Sequence, residues 1–172
     1  DNWNAIDPNV VIDERGMPWL SFGSYMSGIQ IVKLTLAGSR ADSVVRTIAS
    51  RNGGAIEAPF IVKLNSYYYL FTSWDRCCRG TRSTYNIRVG RSQNALGPYV
   101  DKDGKLLTNG GGSIVHANST RWRGPGHNAI LTSNGKIYNV YHAYDASNKG
   151  VPTLRISELV LDAQGWPIVT SP

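Results

Sequence analysis

No apolar run in this chain approaches the ~20 residues needed to cross a bilayer as a helix, so no helical span and no membrane partner is expected. No basic stretch followed by an apolar core opens it, so no secretory leader is visible, and Asp1 in place of Met suggests a processed or excised start. Cysteine is scarce, and the two present are neighbours, Cys77-Cys78. Ordinary disulfide geometry wants the two Cα atoms further apart than one trans peptide allows, so two reduced thiols are expected, one to each face of a strand or turn. Neither a C-x-x-C nor a Cys/His zinc spacing occurs, which argues against a structural zinc. Charged residues make up only 17% of the chain, and no stretch supports a long amphipathic helix.

What is there fits a turn-rich β protein: 172 residues, 41% of them hydrophobic, with 18 Gly, 9 Tyr and 5 Trp, enough for one domain with a core. The formal charge of +6 raises the question of an acidic polymer. The basic residues are spread from Arg15 to Arg155. Their densest run, Arg76, Arg79, Arg82, Arg88 and Arg91, reads as strand-like alternation. No recognition helix or RNA-binding aromatic signature accompanies it, so no nucleic-acid partner is expected.

An internal repeat organises the rest. Asp7 precedes Val10-Val11-Ile12, Glu57 precedes Phe60-Ile61-Val62, and His127 precedes Ala129-Ile130-Leu131, at spacings of 50 and 70 residues. Each apolar strand meets a polar turn and then an aromatic strand: Trp19-Leu20-Ser21-Phe22, Tyr67-Tyr68-Tyr69-Leu70-Phe71 and Ile137-Tyr138-Asn139-Val140-Tyr141. Asn134-Gly135 is the strongest of the hairpin signals. Third strands follow at Gly28–Leu34, Tyr85–Arg91 and Leu154–Leu161, and fourth strands are expected at Val44–Ile48, near Lys105–Leu107, and at Trp166–Val169. Units of four antiparallel strands are β-propeller blades, here approximately 1–52, 53–112 and 113–172. An all-β sandwich is the alternative fold, but it does not place one polar residue before the first strand of every unit. Three blades do not close a ring of the usual ~4–8, so the expectation is part of a larger propeller, or one completed by another chain.

The residue entering the innermost strand of a blade faces the propeller axis, so the repeat puts Asp7, Glu57 and His127 around one cavity. Two carboxylates and an imidazole suit acid/base work on a glycosidic bond. Glu57, set among Ile56, Ala58 and Pro59, is the better candidate for a raised pKa, reinforced by a nearby Asp7 carboxylate.

Asn4-Ala5-Ile6-Asp7-Pro8, Ile56-Glu57-Ala58-Pro59-Phe60, Cys77-Cys78-Arg79-Gly80, Tyr85–Ser92 and Gly124-Pro125-Gly126-His127-Asn128 together resemble the endo-1,5-α-L-arabinanases of glycoside hydrolase family 43, over essentially the whole chain. That resemblance implies a secreted, five-bladed β-propeller that hydrolyses α-1,5-linked L-arabinan or arabino-oligosaccharides with inversion. It implies Glu57 as general acid, Asp7 as the aspartate that modulates its pKa, and His127 beside one axial calcium ion (Ca2+) completed largely by water. Ser24, Phe22, Cys77, Tyr85 and Asn86 fall where the family lines its substrate groove.

One departure stands out. The family's general base is an aspartate well before the modulator, and only six residues precede Asp7. Asp1 is too close in sequence to serve. Residues 1–172 are therefore expected to be the last three blades, inactive alone, with a companion chain or self-association covering the apolar blade faces. A non-catalytic propeller segment that binds glycan or protein is the alternative.

Overall fold

Tight turns set the architecture. The structure, a computed structural model, describes residues 2–170; Asp1, set aside above as a base, lies outside them. Asn134 and Gly135 take φ of 50° and 73°, the pair of left-handed residues that a two-residue hairpin needs, and Ser133 pairs with Lys136 across them. A second device recurs three times. Asp13, Asp101 and Asp162 each open an Asp-x-x-Gly turn, and each Oδ1 accepts the backbone N–H groups two and four residues on at 2.8–3.0 Å. The aspartate satisfies the turn's amides locally, and the glycine supplies the positive φ.

Twelve strands result: β1 (Asn9–Ile12), β2 (Pro18–Phe22), β3 (Ile29–Lys33), β4 (Arg46–Ala49), β5 (Ile56–Leu64), β6 (Tyr67–Trp74), β7 (Asn86–Ser92), β8 (Ser113–His116), β9 (Trp122–Ser133), β10 (Lys136–Asp145), β11 (Val151–Leu161) and β12 (Pro167–Val169). They form three four-stranded sheets, each in simple sequence order, β1 to β4, β5 to β8 and β9 to β12. Helix among the described residues is confined to 3-10 turns at Gly80–Arg82, Leu107–Asn109 and Ala146–Asn148. The chain divides into two compact units, Asp1–Thr72 with Val89–Ser113, and Ser73–Arg88 with Ile114–Pro172. The aromatic second strand supplies the densest burial: Tyr68, Tyr69, Leu70 and Phe71 of β6 are all essentially inaccessible.

Two expectations need correcting. The fourth strand of the second sheet is Ser113–His116, not the stretch near Lys105–Leu107, so this sheet runs on to His116. Leu107 instead enters a 3-10 turn and packs on Gly90, where an added Cβ would stand 2.3 Å from a Leu107 methyl carbon. The arginine run is not one strand either. Arg88 and Arg91 lie in β7, while Arg76, Arg79 and Arg82 sit in the irregular loop before it.

Each unit leaves apolar side chains open. In the first, Ile6, Leu20, Phe22, Val32 and Val45 line a hollow of about 420 Å³ on the first sheet. In the second, Leu154 and Ile156, on one face of β11, are 70% and 57% exposed.

Candidate active site

In the first unit the start of β1 reaches the start of β5. Asp7 is left-handed (φ 58°), and its Oδ2 accepts the Ala58 N–H at 3.0 Å. Two residues on, Asn9 Oδ1 accepts the Ile61 N–H at 2.8 Å. Ala58 is buried and itself left-handed (φ 52°), a conformation that costs a β-carbon residue roughly 1–2 kcal/mol. The Asp7 carboxylate thus satisfies the amide of a strained residue. Glu57, half-buried, sits immediately before it, and Ser24 Oγ donates to its Oε2 at 2.9 Å.

Ser24 is fixed in turn. It is 7% exposed, its carbonyl accepts from Asn4 Nδ2 at 2.8 Å, and the next amide, Tyr25 N–H, donates to the Ile56 carbonyl. Gly23 and Gly28 bracket this turn where nothing larger fits, since added Cβ atoms would stand 2.5 Å and 2.2 Å from backbone carbonyl oxygens. Phe22 lines the apolar hollow of the first sheet. Asp7, Glu57 and Ser24 thus come together across as many as 50 residues of sequence. Asn4 and Ala58, which complete the arrangement, carry no chemical signal of their own in the sequence.

The repeat is offset by one residue in its second copy. The left-handed non-glycine residues just before β1, in β5 and in β9 are Asp7, Ala58 and His127, so Glu57 precedes its copy's equivalent position.

In the second unit, His127 (φ 50°) is exposed, and its N–H donates to Ser73 Oγ at 2.8 Å. Between the pairs Val140–Ala129 and His142–Gly126, two β9 residues, His127 and Asn128, face the single β10 residue Tyr141. This bulge re-aims the histidine, as bulges beside functional sites do. Tyr85 is buried, stacked 5.8 Å from the His142 ring and packed on Gly126, where an added Cβ would lie 1.9 Å from the tyrosine ring. Asn86 is buried and engaged at both ends of its amide: Nδ2 donates to Asp75 Oδ2 at 2.8 Å and to the Thr84 carbonyl at 3.1 Å, while Oδ1 accepts from Arg88 Nε at 3.0 Å.

Cys77 and Cys78 are joined in a disulfide, contrary to the two free thiols expected. An extended strand would send neighbouring side chains to opposite faces. Cys78 is instead left-handed (φ 66°), with its N–H donated to Tyr144 Oη at 2.9 Å, and this turn lets adjacent sulfurs meet.

His116 is a buried core residue, 5% exposed, with its ring edge-on to Tyr141 at 4.5 Å. Burial, reinforced by the Arg155 charge, lowers its pKa from the ordinary 6.5 to about 4. The unfolded chain protonates this ring first, so its contribution to stability is complete above the unfolded value and is lost progressively as pH falls to the folded one. Thermal melts between pH ~7 and ~4, the window set by those two values, should show a steeper loss of stability for the wild type than for His116→Phe, which keeps the aromatic contact and removes the titration.

Metal ligands are sparse. Calcium takes 6–8 oxygens, and no group of three or more His, Cys, Asp or Glu that could hold an ion exists among the described residues. Among the described residues no protein-built calcium cage exists, and the exposed His127 is the side chain that could supply a single ligand.

Comparison with known proteins adds to this geometry. Residues 1–167 match Glycosyl hydrolases family 43. The extracellular endo-alpha-(1->5)-L-arabinanase 1 of Bacillus subtilis is 47% identical over 169 residues, which is 97% of this chain and 51% of that protein. The extracellular exo-alpha-(1->5)-L-arabinofuranosidase ArbA of Cellvibrio japonicus is 42% identical over 182 residues, 98% of this chain and 52% of that protein. Among solved structures, an exo-1,5-alpha-L-arabinanase from a bovine ruminal metagenomic library superposes with a TM-score of 0.95 at 43% identity, covering 99% of this chain and 58% of that one. The Cellvibrio cellulosa alpha-L-arabinanase complexed with arabinohexaose gives 0.93 at 43%, covering 98% and 58%. The three meander sheets are therefore blades of an arabinanase-type β-propeller, and the chain spans about half the length of the curated relatives it matches.

Proposed function

This chain belongs to glycosyl hydrolases family 43, and from that premise we propose that it is part of an inverting hydrolase of α-1,5-linked L-arabinan. Glu57 is the general acid, and Asp7 is the carboxylate that positions and modulates it. The observation that carries this reading is the pair of contacts around β5: Ser24 Oγ on Glu57, and Asp7 on the amide of Ala58. Together they hold a carboxyl group and a neighbouring carboxylate on one short stretch of backbone. Protonated Glu57 donates to the leaving glycosidic oxygen as the bond to the anomeric carbon breaks. Water attacks the opposite face of the sugar, activated by a second carboxylate ~6.5–9.5 Å from the acid.

Ser24 in the first unit and Cys77 in the second are each assigned to sugar contact. Phe22 lines the apolar hollow of the first sheet, and Tyr85, buried against Gly126 and the His142 ring, acts by holding that stretch of β9 and β10 in place. Asn86, engaged at both ends, acts by holding the loop that carries the disulfide. His127 is the residue that would hold a calcium ion, whose charge would add a fixed positive field there. Metal analysis of the dialysed protein tests it: bound calcium that His127→Ala abolishes is expected, and a metal-free wild type contradicts it.

The water-activating carboxylate is assigned to a part of the protein outside residues 1–172, because the relatives are about twice as long. The open apolar side chains of β11 and of the first sheet support covering by further blades, by a companion chain or by a second copy. The relatives' extracellular names support secretion. The experiment is release of arabino-oligosaccharides from linear arabinan. The polypeptide 1–172 alone should give none, and the remaining blades supplied in trans should restore it unless Glu57 is replaced by Ala. Turnover by 1–172 alone would remove the need for an external base, and sugar binding without turnover in the restored protein would mark a binding module.

A further inference from the structure

The positive charge of this chain is unevenly placed. Nine of the 18 Lys and Arg residues, but only four of the 12 Asp and Glu residues, fall in Ser73–Arg88 and Ile114–Pro172. Within that unit the charge gathers on one ridge. Arg76, Arg79 and Arg82 are exposed at every third position of the loop between β6 and β7. Lys149 is exposed in the turn between β10 and β11. Loop and turn are packed together, since a Cβ added to Gly150 would stand 3.0 Å from the Thr81 amide nitrogen.

The carboxylates that flank the ridge in sequence are already engaged. Asp75 accepts from Asn86 Nδ2 at 2.8 Å. Asp145 takes two hydrogen bonds from Arg121, at 2.8 and 3.1 Å, and more from Ser147, which together hold it well below the usual carboxylate range. No ion pair joins Arg76, Arg79, Arg82 or Lys149 to a carboxylate among the described residues. Among the described residues these four cations are thus presented to solvent without an ion-paired carboxylate, which favours an external anion.

We propose that the ridge formed by Arg76, Arg79, Arg82 and Lys149 binds a polysaccharide carrying uronic-acid carboxylates. Guanidinium groups pair with carboxylates through two parallel N–H···O bonds. Cys78, exposed beside Arg79, offers an apolar surface for the C–H face of a sugar ring. Nucleic acid is the less suited anion. Single strands are held by aromatic side chains on which bases stack, and residues 76–82 contain no aromatic. The choice of a sugar polymer rests on the carbohydrate reading above; the anion preference rests on the ridge alone.

Affinity electrophoresis through polygalacturonate tests it, with the protein also run through neutral linear arabinan. Retardation by polygalacturonate is expected at low ionic strength and should fade as salt shortens the screening length. The triple variant Arg76→Gln/Arg79→Gln/Arg82→Gln should lose about tenfold in affinity for polygalacturonate, the sum of three modest exposed ion pairs, with its retardation by neutral arabinan unchanged. The single reversal Arg79→Glu, which removes one exposed side chain and no core contact, should weaken polygalacturonate binding in the same direction. No retardation at low salt, or variants retarded like the wild type, would overturn the proposal. Duplex DNA bound as tightly, with the same arginine dependence, would reduce the ridge to a generic anion exchanger. Loss of arabinan binding alone would count against the arabinan reading and leave the ridge standing.

Discussion

Glu57→Gln, in the protein completed by its remaining blades, is expected to lower kcat on linear arabinan by about 10²–10⁴-fold, the usual worth of a positioned general acid, while leaving the fold intact. Glutamine is isosteric and keeps an oxygen to accept the Ser24 hydroxyl, a contact of 2.9 Å in the wild type. What it lacks is the proton for the leaving oxygen. The loss should therefore depend on the leaving group. An aryl α-L-arabinofuranoside whose phenol departs without protonation should be hydrolysed far more nearly at the wild-type rate than arabinan. Equal losses on both substrates would show that Glu57 serves something other than proton donation, and an unchanged arabinan rate would remove it from the chemistry.

Asp7→Ala should damage both fold and rate, and Asp7→Asn the rate alone. Asp7 is left-handed, a conformation that Asn adopts readily and Ala does not. Alanine also strips the acceptor from the Ala58 amide, and leaving such a buried donor unsatisfied costs about 1–3 kcal/mol. Asparagine restores an acceptor oxygen but not the charge. The melting temperature should fall for Asp7→Ala and hold for Asp7→Asn, while kcat falls for both and the alkaline limb of the pH–rate profile, set by the acid that must stay protonated, moves to lower pH. A fully active Asp7→Asn would leave Asp7 with only a structural part.

Much of the fold is legible in the sequence because local chemistry dictates it. Asn134-Gly135 specifies its hairpin, and the run Tyr67–Phe71 can only be a buried strand in a chain without long helices. The Asp-x-x-Gly turns at Asp13, Asp101 and Asp162 are just as local, since each aspartate serves amides within four residues of itself. Other features are set by contacts distant in sequence. The left-handed residue of β5 is an alanine, which advertises nothing, and it is stabilised by a carboxylate 51 residues away. The Cys77–Cys78 disulfide depends on a turn that Tyr144 holds from 66 residues away. β8 is four residues long and follows Gly110-Gly111-Gly112, so its pattern is too short to compete with the apolar Leu106-Leu107. For the candidate site, the repeat points to Glu57 and Asp7, and the contact that joins Glu57 to Ser24 required the tertiary structure.

The most direct measurement is a crystal structure of the Glu57→Gln protein with arabinohexaose bound. The expected result is one α-1,5 linkage with its bridging oxygen about 2.6–3.2 Å from the substituted side-chain amide at position 57, the reach a general acid needs. An oligosaccharide seated with every bridging oxygen out of hydrogen-bonding reach of that side chain would contradict it.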